Sequence, residues 1–162
     1  MKHSEIFITE EGTVACRGKT LMSGYVGDPE LTAAVLRDGI LFTRDNGAID
    51  EEGMLRLGGR ADDVINVGGF KVAPSEVEDA AMSMPDIEDC VCIPLYHPVA
   101  GQVPKLLVVT TAGSVFDKKK IARFLHEKLE TYKVPAAYEE TDRIHRTYNG
   151  KIDRGYYRAH AK

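Results

Sequence analysis

Glycine-ending turn pairs interrupt the first sixty residues every few positions, and this spacing leaves room only for short elements. The pairs are Glu11-Gly12, Arg17-Gly18, Ser23-Gly24, Asp38-Gly39, Asn46-Gly47 and Glu52-Gly53. The segments between them are rich in β-branched and aromatic residues, which favour strands. They are residues 6–9, 13–16, 40–43 and 54–57. The N-terminal part is therefore predicted to consist of β-hairpins.

One helix is predicted inside this β-rich segment. Asp28 is a candidate N-cap, and Pro29 suits the first helical position, where its missing N–H costs nothing. Apolar residues at positions 31, 34 and 35 share one face of the helix. We expect this helix to end near Asp38-Gly39.

Two amphipathic helices are predicted beyond residue 60. One begins at the capping box Ser75-x-x-Glu78, and the other begins near Asp117. Apolar runs at residues 87–94 and 104–111 separate them and have the length of strands. The chain is therefore predicted to be α+β, with a small β-rich N-terminal segment followed by a C-terminal α+β domain whose short sheet has helices on one face.

Charge and cysteine content exclude several classes of protein. The 21 Lys and Arg against 25 Asp and Glu leave a net charge of −4, so no overall positive field attracts nucleic acid or an anionic membrane. Cys16, Cys90 and Cys92 form no metal-ligand or disulfide pattern. No apolar run approaches the ~18 residues of a membrane span, and no signal-peptide core is present. We expect a cytoplasmic protein with no bound metal and no nucleic-acid or membrane partner.

Three longer motifs occur in order along the chain. Residues 41–53 read LFTRDNGAIDEEG, residues 59–78 read GRADDVINVGGFKVAPSEVE, and residues 147–154 read TYNGKIDR. With residues 17–25 and 29–32, they resemble the motifs of adenylate-forming enzymes, the superfamily of acyl-CoA synthetases and peptide-synthetase adenylation domains. The first resembles the family's TGD motif, the second its linker-and-loop motif, and the third its catalytic-lysine motif. Several collinear matches are far more specific than one.

The resemblance implies a domain organisation. Residues 1–59 would be a β-rich remnant of the large N-terminal adenylating domain, residues 60–62 the hinge, and residues 63–162 the mobile C-terminal lid domain. The family's Ser/Thr/Gly-rich phosphate loop and its carboxylate pocket have no counterpart in these residues. We therefore expect the chain to be inactive alone.

Asp45 and Arg60 are the candidate nucleotide-binding residues. From the residues alone, Asp45 would be a turn-forming aspartate before Asn46-Gly47, and Arg60 would form a surface ion pair. The resemblance implies instead that the Asp45 carboxylate accepts both ribose hydroxyls of ATP and that Arg60 reaches the ribose and phosphate. Arg44 and Asn46 stand where Gly and Leu are usual in the family.

Asp62 resembles the hinge residue whose backbone torsions change when the lid rotates, although a solvated acidic turn explains it equally well. Gly68 and Gly69 would ordinarily form a flexible turn between short strands. The resemblance implies that they let a pantetheine arm pass close to the backbone. Lys71 stands where relatives often carry a polar or basic residue facing phosphate.

Lys151 follows a tight turn at Asn149-Gly150, and the basic stretch after it predicts a short helix or a frayed end. A lysine in a turn is most often a solvated surface residue. The resemblance implies the catalytic lysine of adenylation, where the acid and the α-phosphate of ATP, two anions, need a positioned cation.

The resemblance implies an ATP-dependent acid–thiol ligase of the acyl-CoA synthetase kind. A carboxylic acid and ATP, with Mg²⁺ bound mainly outside these residues, would give an acyl-adenylate and pyrophosphate. CoA would then displace AMP to give a thioester. Three alternatives remain: a separate N-terminal adenylating polypeptide completes the enzyme in trans, the chain is a noncatalytic interaction module, or it is part of a peptide-synthetase adenylation domain that loads a carrier protein.

Overall fold

The computed structural model describes residues 3–160 and divides the chain into two compact units, one ending at Asp62 and the other beginning at Asp63. Each unit is built on its own five-stranded sheet, and helices flank these sheets, so the predicted α+β class is confirmed. Between residues 3 and 160, no helix is long and apolar enough to cross a membrane.

The first unit is an antiparallel sheet with one short helix. Its elements are β1 (Ser4–Ile8), β2 (Thr13–Gly18), α1 (Pro29–Val35), β3 (Leu36–Arg37), β4 (Ile40–Ile49) and β5 (Leu55–Arg60). Strands β1 and β2 form a hairpin, β2 pairs with β4, and both β3 and β5 also pair with β4. The long β4 therefore organises this unit, and the four predicted strand segments correspond to β1, β2, β4 and β5, except that Thr9 and Met54 lie just outside their strands.

Helix α1 begins where the sequence predicts. Asp28 is its N-cap, and the Asp28 Oδ1 accepts a 2.9 Å hydrogen bond from the backbone N–H of Leu31. The helix ends at Val35, about one turn before the expected position, because β3 leaves it to pair with β4. Asp38 (φ +52°) and Gly39 (φ +74°) form the two-residue turn of that hairpin, which requires positive φ at both central positions.

The Asn46-Gly47 pair is not a turn, so that prediction is wrong. Strand β4 runs through both residues, and its register with β5 shifts between Asp45 and Gly47. A Cβ on Gly47 would lie 2.7 Å from Cγ2 of Val14 in β2 and 3.0 Å from the carbonyl oxygen of Arg56 in β5. Glycine is therefore required here by the close approach of three strands and not by a reversal of the chain.

The second unit is centred on one long strand. Its elements are β6 (Ile65–Val67), β7 (Phe70–Val72), α2 (Pro74–Met82), β8 (Ile87–His97), β9 (Gly101–Thr110), α3 (Lys118–His126), β10 (Ala137–Glu140) and α4 (Arg154–His160). Strand β9 pairs with β8 along its whole length, with β10 in parallel, and with β6 at one position. Strands β6 and β7 form a separate hairpin at the end of this sheet.

Alternation along β8 divides the core of the second unit between two faces of the sheet. Cys90 and Cys92 are buried on the face covered by α2 and α3. The intervening Val91 and Ile93 are buried on the opposite face, with Tyr157 of α4. The two predicted helices therefore share one face, and the C-terminal stretch forms a helix that covers the other.

Candidate functional site

Four charged side chains form a chain of ion pairs in the first unit. Arg60 lies 3.5 Å from Asp45 and 3.4 Å from Asp62, and Asp62 also accepts a 3.3 Å hydrogen bond from Arg44. The β4–β5 ladder creates the first of these pairs, because Asp45 is directly opposite Arg60 in the register. The Asp45 side chain remains 39% exposed. Ion pairs this long and this exposed contribute little stability, so the carboxylate can exchange its partner for other donors.

The boundary between the units falls between two adjacent aspartates. Asp62 forms its ion pairs within the first unit. Asp63 instead accepts a 2.8 Å hydrogen bond from Arg158 and lies 3.7 Å from Arg154, both in α4. Each aspartate is therefore anchored in a different unit, and the chain passes from one unit to the next through the peptide bond that joins them.

Gly68 and Gly69 form the two-residue turn between β6 and β7. Their φ values of +58° and +98° are accessible to glycine without strain. The Gly68 N–H donates a 2.9 Å hydrogen bond to the carbonyl of Ala100, and the Gly69 N–H donates one of 2.9 Å to Oδ1 of Asn66. A Cβ on either glycine would meet no heavy atom within 4 Å. The turn is therefore held on its inner side and open on its outer side.

Lys151 lies in a small closed loop just before α4. Its carbonyl accepts a 2.8 Å hydrogen bond from the N–H of Thr147, and Gly150 makes the predicted turn at φ +82°. Arg146 ties the loop to β8 through hydrogen bonds of 2.7 and 2.8 Å to Asp89, and it donates another of 2.8 Å to the Gly150 carbonyl. The backbone of Lys151 is thus fixed from several directions while its side chain is exposed.

Lys71, in β7, is the second exposed lysine among the candidates, and it lies opposite Asn66 in the β6–β7 register. Neither its ammonium nor that of Lys151 forms an ion pair with any residue between positions 3 and 160. Both ammonium groups are therefore available to an anionic ligand.

Arg154, three residues after Lys151, forms a buried ion pair that sequence reasoning missed. Its two terminal nitrogens donate hydrogen bonds of 2.7 and 2.8 Å to the two carboxylate oxygens of Glu78 in α2. Arg154 also donates a 3.1 Å hydrogen bond to the carbonyl of Cys92, whose N–H donates one of 2.7 Å to Glu78. This network joins α2, β8 and α4 immediately after the Lys151 loop.

The predicted capping box at Ser75 and Glu78 is therefore wrong. Helix α2 follows Ala73 as its N-cap, with no side-chain cap, and Glu78 is only 8% exposed. Burial raises the pKa of Glu78 above the ordinary value of a glutamate, and the hydrogen bonds from Arg154 and Cys92 oppose that rise. The available signal was its position beside the apolar Val77 on the inner face of the helix, since a buried acid needs a partner.

The candidate residues fall into two groups. Asp45, Arg60 and Asp62 lie together in the first unit, and the candidates in the second unit are Gly68, Gly69, Lys71 and Lys151. Within the part of the chain that the structure describes, no group of three or more His, Cys, Asp or Glu side chains is placed to hold a metal ion.

The AMP-binding enzyme C-terminal domain family matches residues 76–151. This region belongs to that family. The matched AMP-binding C-terminal domain lies inside the second unit and ends at Lys151, so Lys151 is the one candidate residue that falls within it. The resemblance to adenylate-forming enzymes that the sequence motifs indicate is confirmed by this match and by the similar proteins.

Three similar proteins extend the likeness beyond the AMP-binding C-terminal domain. A long-chain-fatty-acid–CoA ligase of Bacillus subtilis (strain 168) is 39% identical over 143 residues, which are 88% of this chain and 26% of that protein. The amide bond synthetase of Marinactinospora thermotolerans superposes with a TM-score of 0.88 at 31% identity, over 97% of this chain and 34% of that one. The o-succinylbenzoate CoA synthetase of Bacillus subtilis was solved with its acyl-adenylate intermediate. It superposes with a TM-score of 0.89 at 26% identity, over 94% of this chain and 33% of that one.

This chain therefore spans between about a quarter and a third of the length of these proteins. The two solved structures cover nearly all of it, so their likeness includes the first unit as well as the AMP-binding C-terminal domain.

Proposed function

We propose that this chain provides the ribose-binding residues and the lid of an ATP-dependent ligase that joins a carboxylic acid to CoA through an acyl-adenylate. The proposal depends above all on Lys151, an exposed cation on a fixed loop inside a domain of the AMP-binding C-terminal family. In this proposal, residues 1–59 are the end of the adenylating domain, residues 60–62 the hinge, and residues 63–162 the lid.

Asp45 would bind the nucleotide by its ribose. A carboxylate accepts two O–H donors at once, and the Asp45 side chain is exposed enough to do so. Arg60, its partner across the β4–β5 ladder, would turn from Asp45 toward the nucleotide, since a guanidinium fork suits ribose and phosphate oxygens.

Lys151 would serve the first half-reaction. The attacking carboxylate and the α-phosphate are both anions, and negative charge develops on the phosphoryl oxygens as the acid adds. An ammonium held there offsets this repulsion in the transition state. The anchored backbone of Lys151 supports this role because a catalytic charge acts best when it is already in place.

Gly68, Gly69 and Lys71 would serve the second half-reaction. Open space outside the Gly68-Gly69 turn would let a pantetheine arm run along the backbone to the acyl-adenylate. Lys71 would face the phosphates of CoA from the adjacent strand. Rotation about the hinge at Asp62 would exchange this loop for Lys151 between the two half-reactions.

We assign no residue of this chain to Mg²⁺, and no step above passes through it. A reducing compartment such as the cytoplasm suits a chain whose three cysteines are unpaired thiols.

The test replaces the matching segment of the Bacillus subtilis long-chain-fatty-acid–CoA ligase with this chain. The two half-reactions are then measured separately, as fatty-acid-dependent ATP–pyrophosphate exchange and as thioester formation from added acyl-adenylate and CoA. We expect the chimera to perform both. Lys151→Ala should slow exchange by about 10²- to 10³-fold, as loss of a transition-state charge contact does, while thioester formation from acyl-adenylate persists.

Lys119→Ala, which removes an exposed lysine of α3 outside the site, is the matched control and should leave exchange unchanged. Three outcomes would contradict the proposal: a folded chimera without either activity, exchange that is insensitive to both Lys151→Ala and Asp45→Ala, or equal losses in both half-reactions. The second outcome would favour a noncatalytic interaction module.

The acceptor is tested in the same chimera, because a similar structure belongs to an amide bond synthetase. CoA, a carrier protein with its pantetheine arm, and a simple amine are supplied in turn to the preformed acyl-adenylate. We expect CoA to be the preferred acceptor, and preference for the carrier would point to a peptide-synthetase adenylation domain.

A further inference from the structure

We infer that His97 is a positioning residue that holds the Gly68-Gly69 turn in place through the β8–β9 turn. His97 is the last residue of β8 and directly precedes the turn that leads into β9. The catalytic part of this inference rests on the proposed role of the Gly68-Gly69 turn in thiol transfer. The structural part depends only on the hydrogen bonds.

The His97 ring caps the turn that follows it. Its Nδ1 accepts hydrogen bonds from two backbone amides, 3.3 Å from Val99 and 3.1 Å from Ala100. A ring nitrogen that accepts carries no proton, so the proton of the neutral imidazole is on Nε2. The ring thus does for this turn what an Asn or Asp side chain does in an Asx-turn.

Side-chain packing contributes little to the same turn. Val99 is 89% exposed and Tyr96, just before His97, is 79% exposed. Pro98 has no N–H to donate. The conformation of the β8–β9 turn therefore depends on its hydrogen bonds, and the ring of His97 accepts two of them.

Ala100 connects this turn to the glycine turn. Its N–H donates to His97, and its carbonyl accepts the 2.9 Å hydrogen bond from Gly68. The adjacent Gly101 is the single point at which β6 pairs with β9 in the β-ladder. A shift of Ala100 would therefore release the Gly68 amide and weaken the adjacent pairing of β6 with β9 at Gly101.

The Lys151 loop is attached elsewhere, through Arg146 and Asp89 on β8. Loss of the His97 ring should accordingly loosen the glycine turn and leave the Lys151 loop unchanged. In the proposed enzyme, this separation predicts slower thiol transfer with normal adenylation.

The structural part is tested on the 162-residue chain by amide hydrogen exchange followed by NMR. His97→Ala should speed exchange at Gly68 by about five- to tenfold, the effect of losing roughly one hydrogen bond. His97→Asn should restore the slow rate, because an Asn side chain can accept from the amide two residues ahead. The exchange rate of the Leu106 amide, in the centre of the sheet, should be the same in both variants as in the parent. This rate reports that the unit is folded.

The catalytic part is tested in the chimera. His97→Ala should lower kcat/KM for CoA by about five- to tenfold with unchanged ATP–pyrophosphate exchange, and His97→Asn should recover it. If the parent chimera makes no thioester, the proposed function is refuted. The amide hydrogen-exchange result at Gly68 would still stand. An unchanged Gly68 amide in His97→Ala, an active chimera whose CoA kinetics ignore the substitution, or equal losses in both half-reactions would overturn the inference.

Discussion

Arg154 joins α4 to the buried Glu78 of α2 by hydrogen bonds of 2.7 and 2.8 Å, one to each carboxylate oxygen. The same two side chains pair with the backbone of Cys92, whose N–H donates to Glu78 and whose carbonyl accepts from Arg154. Because Lys151 is only three residues before Arg154, this buried pair fixes the end of the loop that carries the candidate catalytic lysine. Stability of the unit and placement of the lysine are therefore linked.

Arg154→Ala should lower the free energy of unfolding of the chain by about 3 to 5 kcal/mol, because it leaves an unpaired buried acid. Urea denaturation of the variant and the parent measures this difference. Arg158→Ala is the matched control: Arg158 pairs with Asp63 but its side chain is 57% exposed, so the loss should stay below about 1 kcal/mol. If both variants lose the same free energy of unfolding, the Arg154–Glu78 pair is not what stabilises this unit.

Gly47→Ala should destabilise the first unit by about 1 to 3 kcal/mol, because the added methyl group would overlap Val14 and the backbone of β5. Gly58→Ala, in the neighbouring strand, is the control, since its Cβ would meet no atom closer than 3.7 Å. Hydrogen exchange of the β4 amides reports the stability of this unit. If both substitutions have the same effect, the close approach at Gly47 is not what requires glycine.

Alkaline pH should destabilise the second unit through its buried thiols. Burial raises the pKa of Cys90 to about 12 and also raises that of Cys92, whereas an unfolded chain loses these protons near pH 8.5, about the ordinary thiol value. The stability that the protonated, buried thiols contribute is fully present below about pH 8.5. It is lost as the pH rises toward the thiol pKa values of the folded chain. The free energy of unfolding should therefore fall by about 1.4 kcal/mol per pH unit for each thiol.

Urea denaturation at about pH 8 and about pH 10.5, a range that brackets thiol ionisation in the unfolded chain, measures this slope. A variant with Cys90→Ala and Cys92→Ala should be less stable at the lower pH but should lose less stability between the two. The same slope in parent and variant would exclude the thiols as its cause.

The chain on its own should not catalyse carboxylate-dependent ATP–pyrophosphate exchange above the rate of a blank. Its sequence contains no counterpart of the family's phosphate loop or carboxylate pocket, so Lys151 alone would have no bound ATP and acid to act on. The chimera, assayed beside it, shows that the assay detects activity. Robust exchange by the 162-residue chain would contradict this expectation.

Part of the local turn and cap chemistry was readable from the sequence. Asp28 caps its helix as predicted, the helix expected near Asp117 begins there with Asp117 as its N-cap, and the turn at Asn149-Gly150 forms. The Asn46-Gly47 pair was wrongly predicted to be a turn, because this dipeptide occurs both in tight turns and where strands approach each other closely. Only the packing of β2 and β5 distinguishes the two cases. The candidate roles of Asp45, Arg60 and Lys151 came from collinear motifs and remain predictions.

The sequence by itself determined the α+β class, the order of most elements and the family of the C-terminal region, because these depend on neighbouring residues and on motif order. Tertiary structure alone decided that Glu78 is a buried partner and not a cap, and that His97 braces a glycine turn. Glu78 and Arg154 are 76 positions apart. Burial and pairing of such groups depend on where the folded sheet and helices bring distant segments together, and no local pattern encodes that distance.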